Sequence, residues 1–183
     1  MTHADHAQWH ALVEATQPSA ALRNWLTLDT SLTARLCAHA ARFTVRRLHQ
    51  HLALPLPDEC AALGLPPDEP VHEREVLLYC DDVPVVFAHT VMPALKPPAD
   101  WPDFHALGEQ SLGALLFDDP QVTRGDLQFS HLPQEHPLML RIHSTLPSER
   151  IESRLHARRC LFLRNQARML VTEVFLPGMT NLN

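Results

Sequence analysis

The stretch "REVLLYCDDVPVVFAHTVMP", Arg74 to Pro93, decides the fold class. Two runs rich in Val, Leu and Phe flank "DDVP", Asp81 to Pro84, and β-formers on either side of a tight cluster of turn residues form the pattern of a hairpin. Neighbouring segments repeat the theme. "FTVRRLHQHLAL" precedes the hairpin and alternates loosely, while "VTRGDLQFSHL", "LMLRIHS", "ESRLHARRCLFLRN" and "MLVTEVFLP" follow it, the last two joined by a short loop around 165–167. Consecutive strands with short connections and few helices between them predict an antiparallel sheet of α+β class, with the helices gathered to one side.

The helical signals lie mainly before the sheet. "AQWHALVEA" spaces apolar residues every third or fourth place, and "PSAALRNWLTLDTSLTARLCAHAA" reads as two short helices with Ser19 and Ser31 as N-caps. After Pro97, Pro98 and Pro102 comes a further helical piece, "SLGALLF". No repeat or low-complexity linker divides the 183 residues, so one domain spanning 1–183 is expected, long enough to bury roughly two-thirds of its unfolded surface.

Composition narrows the function classes. A formal net charge of -6 argues against sequence-independent nucleic-acid binding, though it leaves room for a local cationic pocket. Lys96 is the only lysine, so nearly all positive charge is arginine. Cys37, Cys60, Cys80 and Cys160 are scattered without a CxxC pair and read as reduced thiols. The N-terminus "MTHADHAQWH" lacks the basic and apolar regions of a leader, and no apolar run approaches the ~20 residues that span a bilayer. A cytoplasmic protein without stable membrane insertion is expected.

Strand alternation isolates two charges. In "MLVTEVFLP" it places Glu173 on the face of Met169, Val171 and Phe175, and in "REVLLYC" it places Arg74 with Val76, Leu78 and Cys80. Charges on such faces must be paired, wet or used. Two readings stay open: a structural Arg74–Glu173 pair across the sheet, or opposite poles of one pocket in which the arginine grips an anion and the carboxylate addresses its polar or acidic hydrogen.

Two helix starts match, "SLTARL" at Ser31 to Leu36 and "SLGALL" at Ser111 to Leu116. Backbone amides near Leu32 and Leu112 would be unpaired donors at a positive dipole end, suited to a carboxylate. Metal is not expected. Among thirteen histidines, His3, His6 and His10 could share a helical face but lie at a terminus, and His49 and His51 share a strand face without an obvious third ligand. The five glycines form no GxGxxG or Walker loop, and no GxSxG elbow is present. No cofactor is expected.

Read together, "NWLTLDTSLTARL", "REVLLYCDDVPVVFAHTVMP", "LGEQSLGALLF", "VTR" and "ARRCLFLRNQARMLVTEVFLP" resemble, in order and over most of the chain, the bacterial chorismate pyruvate-lyases that open ubiquinone biosynthesis. The resemblance implies an antiparallel sheet of about six strands with helical flaps over a buried ligand cavity. It also implies a cofactor-free carbon–oxygen lyase that converts chorismate to 4-hydroxybenzoate and pyruvate as a cytoplasmic monomer. The family's product-binding arginine and glutamate fall on Arg74 and Glu173, both with catalytic roles, and its two main-chain contacts fall on Leu32 and Leu112. The chain departs from the family in having His89, in "AHTVMP", where an arginine is frequent, and in a longer stretch over 144–160. Two alternatives accompany the resemblance: a chorismate-utilising enzyme with another product, and a non-catalytic sensor related to the effector domains of bacterial repressors. Against the sensor, the N-terminal part carries no basic recognition helix.

Overall fold

The computed structural model describes residues 7–94 and 101–182; His3, His6, Lys96, Pro97 and Pro98 lie outside them. Six strands form one antiparallel sheet in the order β1-β2-β3-β6-β5-β4: β1 (Phe43–Ala53), β2 (Val71–Cys80), β3 (Val83–Pro93), β4 (Val122–Pro133), β5 (Arg154–Arg164) and β6 (Ala167–Phe175). Two hairpins, β2–β3 and β5–β6, meet at β3 and β6. Each turns on two residues with positive φ, Asp81 and Asp82 in the first and Asn165 and Gln166 in the second. This geometry matches the right-handed strand twist, and Asp and Asn tolerate it best.

The expected caps are present. Ser19 Oγ accepts from the Leu22 amide at 3.2 Å to begin α1 (Ala20–Leu26), and Ser31 Oγ accepts from Ala34 at 3.2 Å to begin α2 (Leu32–His39). The remaining helices are α3 (Pro57–Leu63), α4 (Gly113–Phe117) and α5 (Pro137–Thr145). Gly178 lets the C-terminal 3-10 turn lie against β3, since a Cβ there would stand 2.4 Å from the Pro84 carbonyl oxygen.

Three expectations are corrected. "LMLRIHS" is not a strand but most of α5. Pro137 opens the helix, His136 Nδ1 accepts from the Leu138 amide at 3.2 Å, and Leu138, Met139 and Ile142 are buried at helical spacing. A short apolar run carries too little periodicity to separate the two states. "AQWHALVEA" is not an α-helix: His10 exchanges backbone hydrogen bonds with Phe129 of edge strand β4 at 2.8 and 2.9 Å, and only Val13–Thr16 turns, as 3-10. The helices are also not gathered to one side. α1, α2 and α4 cover the face bearing Val76, Val86 and Phe175, whereas α3 and α5 cover the face bearing Leu77, Phe87, Val174 and Leu170. The stretch 144–160 resolves into the end of α5, an irregular connection and the first half of β5.

Covering both faces buries charge on the α3/α5 side. Glu59, Glu73, Glu75 and His89 are all at most 2% exposed. His89 Nε2 lies 2.8 Å from Glu59 Oε1 and its Nδ1 lies 2.9 Å from Glu75 Oε1. Burial by itself depresses the His89 pKa, but the two carboxylates outweigh it and raise it to about 10. Burial likewise opposes ionisation of Glu75, and His89 with Arg141 brings its pKa down to about 2. His89 therefore contributes stability that is complete below its ordinary 6.5 and is lost as pH rises through about 10. Glu75 contributes stability that is complete above 4.5 and is lost as pH falls through about 2. Urea midpoints across pH should thus decline on the alkaline side more steeply for the native protein than for His89→Gln, by a difference on the order of a few kcal/mol; parallel curves would remove the imidazolium from this account.

Candidate active site

The other face holds a cavity whose space free of protein atoms, about 620 Å³, includes the solvent at its mouth. Its floor follows from register. One row across the sheet reads Val76, Ala88, Glu173, Arg158 and Phe129, and the next reads Arg74, Thr90, Val171, Cys160 and Leu127. Its cover is built from two helix starts. Ser31, Leu32 and Thr33 of one meet Ser111, Leu112 and Gly113 of the other, and a Cβ on Gly113 would stand only 3.0 Å from Ser31 Oγ. Glycine is what lets the two starts abut.

All four residues singled out in the sequence, Leu32, Arg74, Leu112 and Glu173, line this cavity. The helix starts are not identical, however. Leu32 is the first residue of α2 behind its serine cap, but the Leu112 carbonyl accepts from Leu116 at 3.0 Å, so Leu112 itself precedes α4 and Ser111 Oγ takes the Gly113 amide at 3.4 Å. An amide in either place has no intrahelical acceptor.

Arg74 and Glu173 are not ion-paired. β3 lies between their strands, and their registers differ by two residues: Arg74 faces Thr90, whereas Glu173 faces Ala88. The structural cross-sheet pair is therefore excluded. Arg74, 1% exposed, donates from Nη2 to the carbonyls of Gln110 at 2.7 Å and Gly108 at 3.2 Å, while its buried Nε has no partner among the described residues. Burial, followed by repulsion from Arg47, lowers its pKa to about 10, which still leaves a full charge at neutral pH.

The partner of Glu173 is Arg158, whose Nε donates to Glu173 Oε2 at 2.6 Å across the β5–β6 hairpin. Arg158 Nη1 also donates to the carbonyls of Trp25, Leu26 and Leu28, at 3.2, 3.2 and 2.9 Å. Arg124, beside a register shift in β4, donates to the carbonyls of Asp29 and Leu28, and its buried Nε has no partner among the described residues. Sequence reasoning missed both arginines. The signal for Arg158 was present, since it alternates with Cys160 and Phe162 just as Arg74 does with Val76 and Leu78. Three guanidiniums thus surround one carboxylate, an excess of positive charge suited to a small molecule with more than one acidic group.

His89, where the resembled family often has arginine, lies on the opposite face of the sheet, between Glu59 and Glu75, and takes no part in this cavity.

A family model described as chorismate lyase matches residues 3–181. The chain belongs to the chorismate lyase family. Among relatives of chorismate lyases in curated collections, a probable chorismate pyruvate-lyase of Cupriavidus metallidurans is 47% identical over 94% of this chain and 81% of its own length. One from Nitrosospira multiformis is 39% identical over 100% and 99%. Among solved structures, the effector domain of PhnF from Mycobacterium smegmatis is similar in fold, with a TM-score of 0.55 at 16% identity over 81% of this chain and 90% of that one. No described helix of this chorismate lyase family member is long and apolar enough to cross a membrane.

Arg158 provides the test of how the site is held. Arg158→Met removes the cation while keeping much of the side-chain volume, stranding Glu173 and three carbonyls. The urea midpoint should fall by the equivalent of about 3 kcal/mol, the scale for breaking one side of a buried ion pair. A loss below ~1 kcal/mol would mean that water replaces the guanidinium.

Proposed function

We propose that the cavity binds chorismate and eliminates pyruvate from it to leave 4-hydroxybenzoate. The observation that carries this reading is Arg74: a buried guanidinium at the cavity wall, with a free Nε and no carboxylate partner among the described residues. Such a group is stabilised by a ligand anion. The probable chorismate pyruvate-lyases at 47% and 39% identity support the choice of substrate.

In this reading Arg74 holds the ring carboxylate, which the product keeps, and the main-chain amides at Leu32 and Leu112 add donors to carboxylate oxygens. The remaining cations, Arg124 and Arg158, offset the second acidic group of the dianion. Elimination removes the proton from the ring carbon that bears the hydroxyl and breaks the bond from the adjacent ring carbon to the ether oxygen. The ring becomes aromatic, and enolpyruvate departs and is protonated to pyruvate. Atoms balance without a further reactant and no electrons are exchanged, so a cofactor has nothing to supply. Glu173 receives or relays the ring proton through Oε1, because Oε2 is bonded to Arg158. The protein's share is a fixed geometry and a dry, preorganised field for a reaction that runs downhill. It acts as a cytoplasmic monomer at the first committed step of ubiquinone biosynthesis, the setting that the family resemblance implies.

Incubation of purified protein with chorismate, followed by product identification, tests the assignment: 4-hydroxybenzoate and pyruvate in equal amounts are expected. Another aromatic product would make it a different chorismate enzyme, and tight binding without turnover would make it a sensor. Glu173→Gln should lower kcat by about 10²- to 10⁴-fold, the range for general acid–base catalysis. Normal kcat per folded molecule would reject the proton-transfer role. Arg74→Ala should weaken binding of both chorismate and 4-hydroxybenzoate by ~1.5 to 3 kcal/mol, as for a charge-assisted hydrogen bond, while the sheet stays folded; an unchanged product dissociation constant would overturn the anion-binding assignment.

A further inference from the structure

We propose that His49, His51 and Glu73 form a divalent-cation site of the zinc class at the exposed edge of the sheet, on the face opposite the cavity. A register shift between Arg47 and His49 places His49 against Glu75 and His51 against Glu73 in the β1–β2 ladder. The sequence supplied two histidines of one strand face without a third ligand. Folding brings the third ligand from the neighbouring strand.

The ligand atoms cluster, although the two rings stack with centroids 4.3 Å apart and 22° between their planes, so the half-exposed His51 ring turns about its side-chain bonds to share an ion with His49. Glu75 Oε2 accepts from His49 Nε2 at 2.7 Å, so the ring atom left to meet an ion is Nδ1. That Nδ1 is buried and has no hydrogen-bond partner among the described residues. It lies 3.7 Å from Glu73 Oε1, and His51 Nε2 lies 3.6 Å from the same oxygen. These separations are long for hydrogen bonds, but donors about 2.0 to 2.2 Å from one tetrahedral ion stand roughly 3.3 to 3.6 Å apart. The three ligand atoms all fall within 4.8 Å of one another.

The surroundings complete the site. Glu73 Oε2 is held by Arg141 Nη1 at 2.9 Å, so the carboxylate is oriented with Oε1 towards the two rings. Glu75 plays the outer carboxylate that fixes a ligating imidazole. Glu59, Glu73 and Glu75 face Arg141, the His89 imidazolium and, beside Glu59, Arg159, so what the site offers a cation is its ligand atoms rather than a surplus of negative charge. His51, 53% exposed on its side chain, leaves the remaining coordination position open to water. Imidazole nitrogens with one carboxylate suit zinc better than calcium or magnesium. The overlapping triple of Glu73, Glu75 and His89 is no competitor, since both His89 nitrogens already face carboxylates.

The test is a titration of the metal-free, full-length protein with Zn²⁺ against a chromophoric competitor, with His51→Ala and the double variant His3→Ala/His6→Ala alongside. One Zn²⁺ per chain is expected for the native protein. His51→Ala, an exposed edge-strand change, should weaken binding by more than the ~10- to 100-fold that loss of an outer partner costs. The double variant should bind like the native chain. Co²⁺ should give the visible absorption of a four-coordinate site in the native protein and not in His51→Ala, and Zn²⁺ should raise the thermal midpoint only where it binds. Absence of Zn²⁺ uptake, equal affinity in His51→Ala, or loss of binding in the double variant would each overturn the proposal. Because the site faces away from the cavity, a chelator should remove the thermal shift and leave chorismate turnover unchanged.

Discussion

Arg158 joins the sheet to its cover. One edge of its guanidinium is tied to Glu173 across a hairpin, and Nη1 reaches the three carbonyls at the end of α1 and just beyond it. Arg124 holds the adjoining carbonyls of Leu28 and Asp29 from the next strand out. Those carbonyls end one helix, and the next begins at Leu32 on the cavity wall. The cover is held over the cavity by these two cations together with Trp25, Leu26, Leu32 and Leu36, which pack against the sheet. The desolvation of the two cations is offset because each is multiply hydrogen-bonded.

The same sheet separates two charge systems by nothing more than strand alternation. Along β2, Arg74 faces the cavity, whereas Glu73 and Glu75 face the other side. Along β5, Arg158 faces the cavity and Arg159 the opposite face, where it donates to Gln128 at 2.8 Å and to the Asp58 carbonyl at 2.9 Å. Cations in excess therefore gather about the cavity on one face, and carboxylates with their cationic partners gather around β1 and β2 on the other. A small dianion would thus be drawn to one side of the scaffold, and a divalent cation would find its ligand atoms on the other. The likeness to the PhnF effector domain is one of fold, and the charges set out on the sheet give this chain its own chemistry.

Much of the architecture could be read before folding because its signals are local. The β2–β3 hairpin showed itself in two β-forming runs about "DDVP", and α1 and α2 showed themselves in serine caps ahead of amphipathic spacing. The failures have equally local causes. α5 and the would-be strand "LMLRIHS" share an apolar run too short to show its period, and "AQWHALVEA" was diverted by the backbone of Phe129, a partner far away in the chain. α3 was not anticipated at all, although Pro57 and the Glu59 carboxylate bonded to the Leu56 amide at 2.8 Å mark its start.

For the site, alternation alone determined that Arg74 and Glu173 stand on apolar faces, because the side-chain period of a strand is a property of its own backbone. Which charge answers which could not be read that way, since pairing depends on strand order and register. β3 came between the two residues, and Glu173 met Arg158 through the hairpin that turns at Asn165 and Gln166. The same holds for "HQH", whose missing ligand lay on β2, more than twenty positions onward in sequence and next door in space. Sequence settles which way a strand's side chains point; only the assembled sheet decides what they point at.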